Sequence, residues 1–277
     1  MNRSAGLHPS LDARGASRCH VALMRLFCAL LLVLTASVSF ALTPRELDVI
    51  GRRVWQNECG GTREGLTSWN SGENFASLGI GHFIWYPKGV TGPFEESFPM
   101  LIKSLAANGV KVPAWIKPEE GCPWSTRAEF LAASKSEKMS ELRDFLASTI
   151  QMQARFLVQR MENALSKMLA VAPSGQRAKI KANYDRLVAT PRGLFALVDY
   201  VNFKGEGTKD TERYQGEGWG LLQVLANMGE SEGASPAALF AKSAEEILAR
   251  RVRNAPPERH EERWLNGWKN RVRAYVQ

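Results

Sequence analysis

The feature that most constrains this chain is a change of hydrophobic period early in its length. Thr43-Pro44-Arg45-Glu46 is a capping box with proline in the first turn, and Leu47, Ile50 and Val54 then share one helical face. Glu58 falls on the same stripe, which aims a carboxylate at the core, and Gly60-Gly61 ends the helix just beyond it. Between Trp69 and Tyr86 the pattern changes to Gly-rich turns and β-favouring residues, which predicts a small hairpin or ribbon. Helical spacing then returns. Residues 137–172 read as one long helix closed by Pro173-Ser174-Gly175, its methionines filling the core. Further helices are expected near 98–108, 176–188, 191–203, 217–228, 235–252 and 258–275, while 87–92 and 111–124 read as surface loops. The fold class is therefore mainly α (α+β): a helical-bundle lobe with a small β-hairpin lobe beside the helix that carries Glu58.

The first 41 residues follow another logic. Arg25 precedes the apolar run 26–33, and small residues lead to Ser39-Phe40-Ala41, the layout of a secretory signal peptide. The apolar run is shorter than the roughly 20 residues that a membrane span needs. We therefore expect residues 1–41 to be a signal peptide, the stretch before Met24 being a misassigned start or a long n-region, and 42–277 to be the functional domain. A periplasmic or secreted monomer follows, with no stable membrane insertion after cleavage. Residues 1–41 hold four Arg and one Asp, so cleavage takes the formal charge from +8 to +5. A basic exported protein favours an anionic partner, for which cell wall and membrane surfaces qualify, and no recognition motif supports nucleic acid. Only Cys59 and Cys122 remain after cleavage, and an oxidising compartment makes them disulfide candidates, with two buried free thiols the equal alternative.

Cleavage of a glycosidic bond needs a carboxyl desolvated enough to stay protonated near neutral pH and facing an open cleft. Glu58, on a buried stripe and followed by a Gly-rich turn, has the required setting. The plain alternative is a buried Glu paired with Arg52, Arg53 or Arg63.

Ser77-Leu78-Gly79-Ile80-Gly81-His82 resembles the Thr-Ile-Gly-x-Gly-His signature of the phage-type lysozymes, glycoside hydrolase family 24, in the lysozyme-like superfamily. In that family a Glu at the end of the first helix precedes a β-lobe carrying an Asp and then the Thr. Asn57-Glu58-Cys59 holds the Glu position here, and Ala196–Gly205 resembles the family's Phe-Asn-x-Gly helix end. The resemblance implies a lysozyme-like fold and a glycosidase of the muramidase type acting on peptidoglycan glycan strands, with Glu58 as general acid and no cofactor or metal. Two departures stand out. The stretch between Glu58 and the ribbon is longer than in the family, and Ser71 stands where the Asp is expected, which leaves Glu73 as the candidate second carboxylate and Ser77, in place of Thr, as the water-orienting hydroxyl. Glu64, in Glu64-Gly65-Leu66, echoes the family's Glu-Gly-Leu and competes with Glu58, but only Glu58 shares a face with the apolar stripe.

Substrate contacts are expected from His82, Trp85, Tyr200, Asn202 and Gln223, with Tyr86 beside Trp85, although core packing is an equal reading for these two aromatics. Arg250, Arg251 and Arg253 read as a solvated helix face. If Glu58 works alone, the implied reaction is that of a lytic transglycosylase, which closes an anhydro ring from the sugar's own hydroxyl. Two other classes compete: a cysteine peptidase built on Cys59 and His82, and a non-catalytic wall-binding protein of lysozyme-like fold. A zinc amidase would need three ligands, and His82 and His260 are the only histidines after residue 41.

Overall fold

A computed structural model of the chain describes residues 42–277, so the signal peptide expected over 1–41 lies outside the described residues. Helix α1 (Pro44–Cys59) starts where the capping box places it, with the Thr43 side chain and Glu46 bonded reciprocally. It ends at Gly60, which adopts the left-handed conformation, and the Gly60 and Gly61 amides donate to the carbonyls of Gln56 and Trp55.

The β-lobe follows as a three-stranded antiparallel sheet, β1 (Thr67–Ser68), β2 (Ala76–Leu78) and β3 (Phe83–Trp85), in sequential order. Ser77 pairs with Ser68 on one side and Ile84 on the other. Then come α2 (Phe98–Ala107), α3 (Arg127–Ala132), α4 (Glu137–Ser148), α5 (Ile150–Val171), α6 (Ser174–Val188) and α7 (Pro191–Lys204). A two-stranded ribbon, β4 (Arg213–Tyr214) and β5 (Glu217–Gly218), leads into α8 (Leu221–Asn227), α9 (Pro236–Asn254) and α10 (Glu262–Arg273). The described chain is thus mainly helical with a small antiparallel sheet.

Three local readings need correction. The single helix expected over 137–172 is two, because Thr149 leaves helical geometry (φ −113°, ψ 13°) and its hydroxyl bonds back to the carbonyls of Phe145 and Leu146. The helix expected from 217 starts four residues later, since Glu217 and Gly218 pair as a strand. Helix α3, a short one capped by the Thr126 side chain, adds an element that the polar letters around it do not announce.

Helix α5 runs through the centre and packs against α1 so closely that a Cβ on Gly51 would lie 2.8 Å from Ile150 Cγ2. The core is continuous from the α1 stripe through the sheet to α7, α8 and α9. Two aromatic residues expected to contact substrate belong to it. Trp85 is fully buried with its ring 4.8 Å from that of Phe98, and Tyr200 is fully buried with its hydroxyl donating to the Trp219 carbonyl. Tyr86 is likewise buried, edge-on to Phe75. A large aromatic side chain fills a core as readily as it lines a cleft, and here the apolar neighbours on both sides of β3 and α7 take it inward.

Candidate functional site

Helix α1 delivers Glu58 to the junction between the sheet and the helical bundle. Its side chain is 15% exposed, and its two oxygens differ. Oε1 accepts from Asn202 Nδ2 at 3.0 Å, at the end of α7, and from Arg271 Nη2 at 2.5 Å, on α10. Oε2 has no hydrogen bond among the described residues, and its neighbour is His82 Nδ1 at 3.7 Å. A carboxylate in the last turn of a helix meets the negative end of the helix dipole, which the Arg271 charge offsets. The ion pair considered from sequence therefore exists, but with Arg271 and not with Arg52, Arg53 or Arg63. Arg52 pairs with Asp48, Arg53 reaches the carbonyls of Ala274 and Gln277, and Arg63 bonds Asp144.

Arg271 is itself fixed by Asp199, a carboxylate with no solvent exposure. Asp199 Oδ1 accepts from Arg271 Nη2 (2.8 Å) and Asn57 Nδ2 (3.2 Å), and Oδ2 accepts from Arg271 Nε (2.8 Å) and the Tyr275 hydroxyl (2.6 Å). Four charge-assisted or polar bonds satisfy both oxygens of this buried acid. Burial alone would lower the Arg271 basicity, but Asp199 and then Glu58 outweigh it and hold the guanidinium well above its ordinary value. Arg271 is thus a permanent cation with one edge on Asp199 and one nitrogen shared with Glu58. Sequence reasoning singles out neither Arg271 nor Asp199. The available signal is Asp199 itself, a lone acid in the apolar run 194–201, which demands a buried cationic partner somewhere in the chain.

The segment 79–82 makes a tight turn between β2 and β3, with the His82 amide donating to the Gly79 carbonyl. Gly79 has φ +72°, and a Cβ there would strike the Gln153 side chain at 2.4 Å. Gln153 of α5 is fully buried: its Oε1 accepts from the Ile80 amide at 2.9 Å, while its Nε2 donates to the Leu146 carbonyl and Thr149 Oγ1. The turn also abuts Asn202, whose Oδ1 would lie 3.1 Å from a Cβ on Gly81. His82 is one of three non-glycine residues with positive φ (48°) among the described residues, a conformation that holds its ring against Glu58 on one side and toward the Gly65 carbonyl (3.4 Å) and Cys59 Sγ (3.6 Å) on the other.

Of the residues expected at the site, Glu58, His82 and Asn202 come together. Glu73 is held within its own turn, where its carboxylate accepts from Asn70, and Ser77 is buried within β2; among the described residues no hydrogen bond joins either to Glu58. Gln223 does not line the Glu58 cluster: it bridges the Gly220 amide and the Gly207 carbonyl, so it ties the loop before α8. Glu64 is exposed on a 3-10 turn. The disulfide candidate is also corrected, because Cys59 and Cys122 are free buried thiols. Cys59 sits against the turn that precedes β3, whereas the Cys122 amide bonds Tyr86 just after it. Burial, and secondarily the Glu58 charge, push the Cys59 thiol up to about 12. At neutral pH the group is a protonated thiol and a poor nucleophile, which disfavours the cysteine-peptidase reading.

Arg251, read as part of a solvated face, is instead bound bidentately to buried Glu261 with both contacts at 2.7 Å. Among the described residues no group of three or more His, Cys, Asp and Glu is arranged to hold a metal ion.

No protein-family model matches the chain, and no curated protein or solved structure matches it. One carboxylate is anchored through one oxygen and without a hydrogen bond at the other among the described residues, beside a turn and an imidazole, with a fixed cation behind it. Such a group presents a single, defined oxygen to the β-lobe turn.

Proposed function

We propose that this chain is a lysozyme-like enzyme that cleaves the glycan strands of peptidoglycan outside the cytoplasm, with Glu58 as the proton donor. The observation that carries the reading is the asymmetry of the Glu58 carboxyl: Oε1 is bound by Asn202 and Arg271, while Oε2 has no hydrogen bond among the described residues and faces the β-lobe turn at His82. In the proposed step, a proton on Oε2 passes to the bridging oxygen as the bond from that oxygen to the sugar's anomeric carbon breaks. Asn202 and Arg271 stabilise the carboxylate that remains, and the oxocarbenium-like sugar awaits a nucleophile.

The source of that nucleophile favours the transglycosylase variant. A two-carboxylate hydrolase needs a second acid with a free oxygen. Asp199, the other carboxylate in the hydrogen-bonded cluster, uses both oxygens on Arg271, Asn57 and Tyr275. In the single-acid route the Glu58 carboxylate takes back a proton from the sugar's own hydroxyl, whose oxygen closes on the anomeric carbon. The acid is regenerated and an anhydro end is left.

Digestion of purified peptidoglycan followed by mass spectrometry of the fragments tests the proposal. Anhydro-ended muropeptides are expected from the native protein, and Glu58→Gln should lower their rate of formation by about 10²- to 10⁴-fold. Reducing ends would indicate hydrolysis with an added water. Intact glycan with cut peptides, or a Glu58→Gln protein as active as the native one, would remove the glycosidase reading.

A further inference from the structure

We infer that His82 is the positioning residue for the Glu58 proton: its ring is fixed with hydrogen on Nε2, and its Nδ1 shares a single proton with Glu58 Oε2. The use of that proton in cleavage rests on the glycan-cleaving reading, whereas the sharing itself does not. The hydrogen on Nε2 follows from its neighbours. Nε2 lies 3.4 Å from the Gly65 carbonyl, which only accepts, and 3.6 Å from Cys59 Sγ. Burial, and then the Glu58 charge, push the Cys59 thiol up to about 12, so the sulfur keeps its hydrogen near neutrality and points it to the Gly79 carbonyl at 3.5 Å. The sulfur therefore turns lone pairs toward the ring, and both neighbours of Nε2 require a donor. A ring with its hydrogen there leaves Nδ1 bare unless a second proton arrives. The neighbour of Nδ1 is Glu58 Oε2 at 3.7 Å. Two lone pairs facing each other repel, and one proton on either atom turns the contact into a hydrogen bond. The gap must then shorten by about 1 Å to reach the usual length of such a bond. Both side chains are partly exposed and keep the freedom to close it.

The charges around the pair demand the same proton. Arg271 on α10 and Asp199 on α7 cancel through their paired contacts. Lys204, also on α7, is held well below its ordinary value, toward the neutral form, by burial and then by Arg251. Asn202 is uncharged, and Glu64 beside Gly65 is exposed, its charge acting on Arg143. An ionised Glu58 facing a neutral His82 thus leaves one negative charge uncompensated in a largely buried cluster, and one shared proton brings the sum to zero. The backbone adds an independent sign. His82 holds φ +48° directly after Gly81, a conformation that glycine adopts more easily, so the ring is what this position requires. In the cleavage step the shared proton passes from Oε2 to the bridging oxygen as the bond from that oxygen to the anomeric carbon breaks. The proton of the sugar's own hydroxyl returns to the pair when that hydroxyl oxygen closes on the same carbon.

The test uses the full native chain near neutrality. Ring nitrogen NMR spectra, with the His82 signals assigned by their loss in His82→Asn, report which nitrogens carry hydrogen. The infrared difference between native and Glu58→Gln protein reports whether Glu58 is an acid or a carboxylate. Hydrogen on Nε2 is expected, together with one proton on the pair: Nδ1 bare with Glu58 as acid, or Nδ1 protonated with Glu58 as carboxylate. A bare Nε2, or a pair holding no proton or two, overturns the inference. Kinetics on peptidoglycan then separate positioning from structure. His82→Gly relaxes the backbone, so a merely structural ring predicts full rate with equal or greater thermal stability. The inference predicts that stability with kcat lowered about ten- to a hundredfold and KM unchanged. His82→Asn, which tolerates positive φ and places an amide near the site of Nδ1, should recover part of the loss. A His82→Gly protein as fast as the native one overturns the positioning role. If the spectra show the shared proton while the native protein cuts no glycan, the cleavage reading fails and the one-proton pair stands.

Discussion

Cys59 neighbours the proposed acid, and its chemistry separates two classes of function at the level of one atom. Its thiol is buried, points toward the carbonyls of Gly79 and Ile80, and is pushed up to about 12 by burial together with the Glu58 charge. Thiolate is the reactive species, so alkylation of the folded protein at neutral pH should be slow and should accelerate as pH rises toward that value. Iodoacetamide labelling read by peptide mass spectrometry checks this, with unfolded protein as the reactive control. Rapid, selective labelling of folded Cys59 near neutrality would restore the peptidase reading. The same scale shows what single letters reveal. Glu58 is legible because a carboxylate on an apolar stripe is costly and hence informative. The fates of Trp85 and Tyr200 are not, since an aromatic ring carries no mark distinguishing a core site from a cleft.

Among the elements, the turn between β2 and β3 shows how strand, helix and site are coupled. The Gly-rich letters 79–82 announce a turn, but not what holds it, because the clamp, Gln153, lies on α5, 73 positions from the amide it binds. Gln153→Ala would leave the Ile80 amide without its partner in a dry environment and open a small void. A loss of about 2–3 kcal/mol in unfolding free energy is expected, measured by urea titration. Because the turn carries His82 toward Glu58, the proposed glycan cleavage should fall further than the fraction of unfolded protein explains. Helix limits are readable where a cap or breaker is written locally, as at Thr43, Gly60 and Pro191. They are misread at Thr149, where apolar spacing continues through a residue whose own hydroxyl takes the helical carbonyls.

At the scale of the whole molecule, Asp199 is the knot. It joins Asn57 of α1, Arg271 of α10 and Tyr275 just beyond α10, residues that span most of the described chain. Asp199→Asn would leave a buried guanidinium short of its countercharge, and a cost of about 3–5 kcal/mol is expected, seen as a lowered thermal midpoint. Residual folded protein should also be slower in the proposed glycan cleavage, as Arg271 loses the partner that orients it toward Glu58. An Asp199→Asn variant as stable and as active as the native protein would show that the network is dispensable. Such long-range closure is what a linear reading misses, because no local pattern states which guanidinium reaches which acid across 213 positions.

That separation between Glu58 and the guanidinium it meets has a consequence in time. During synthesis the acid is made 213 residues ahead of its cationic partner, so a nascent chain whose α10 has yet to emerge holds the carboxyl without the group that completes its surroundings. The surroundings of the carboxyl are complete only when that late helix has been made and has docked.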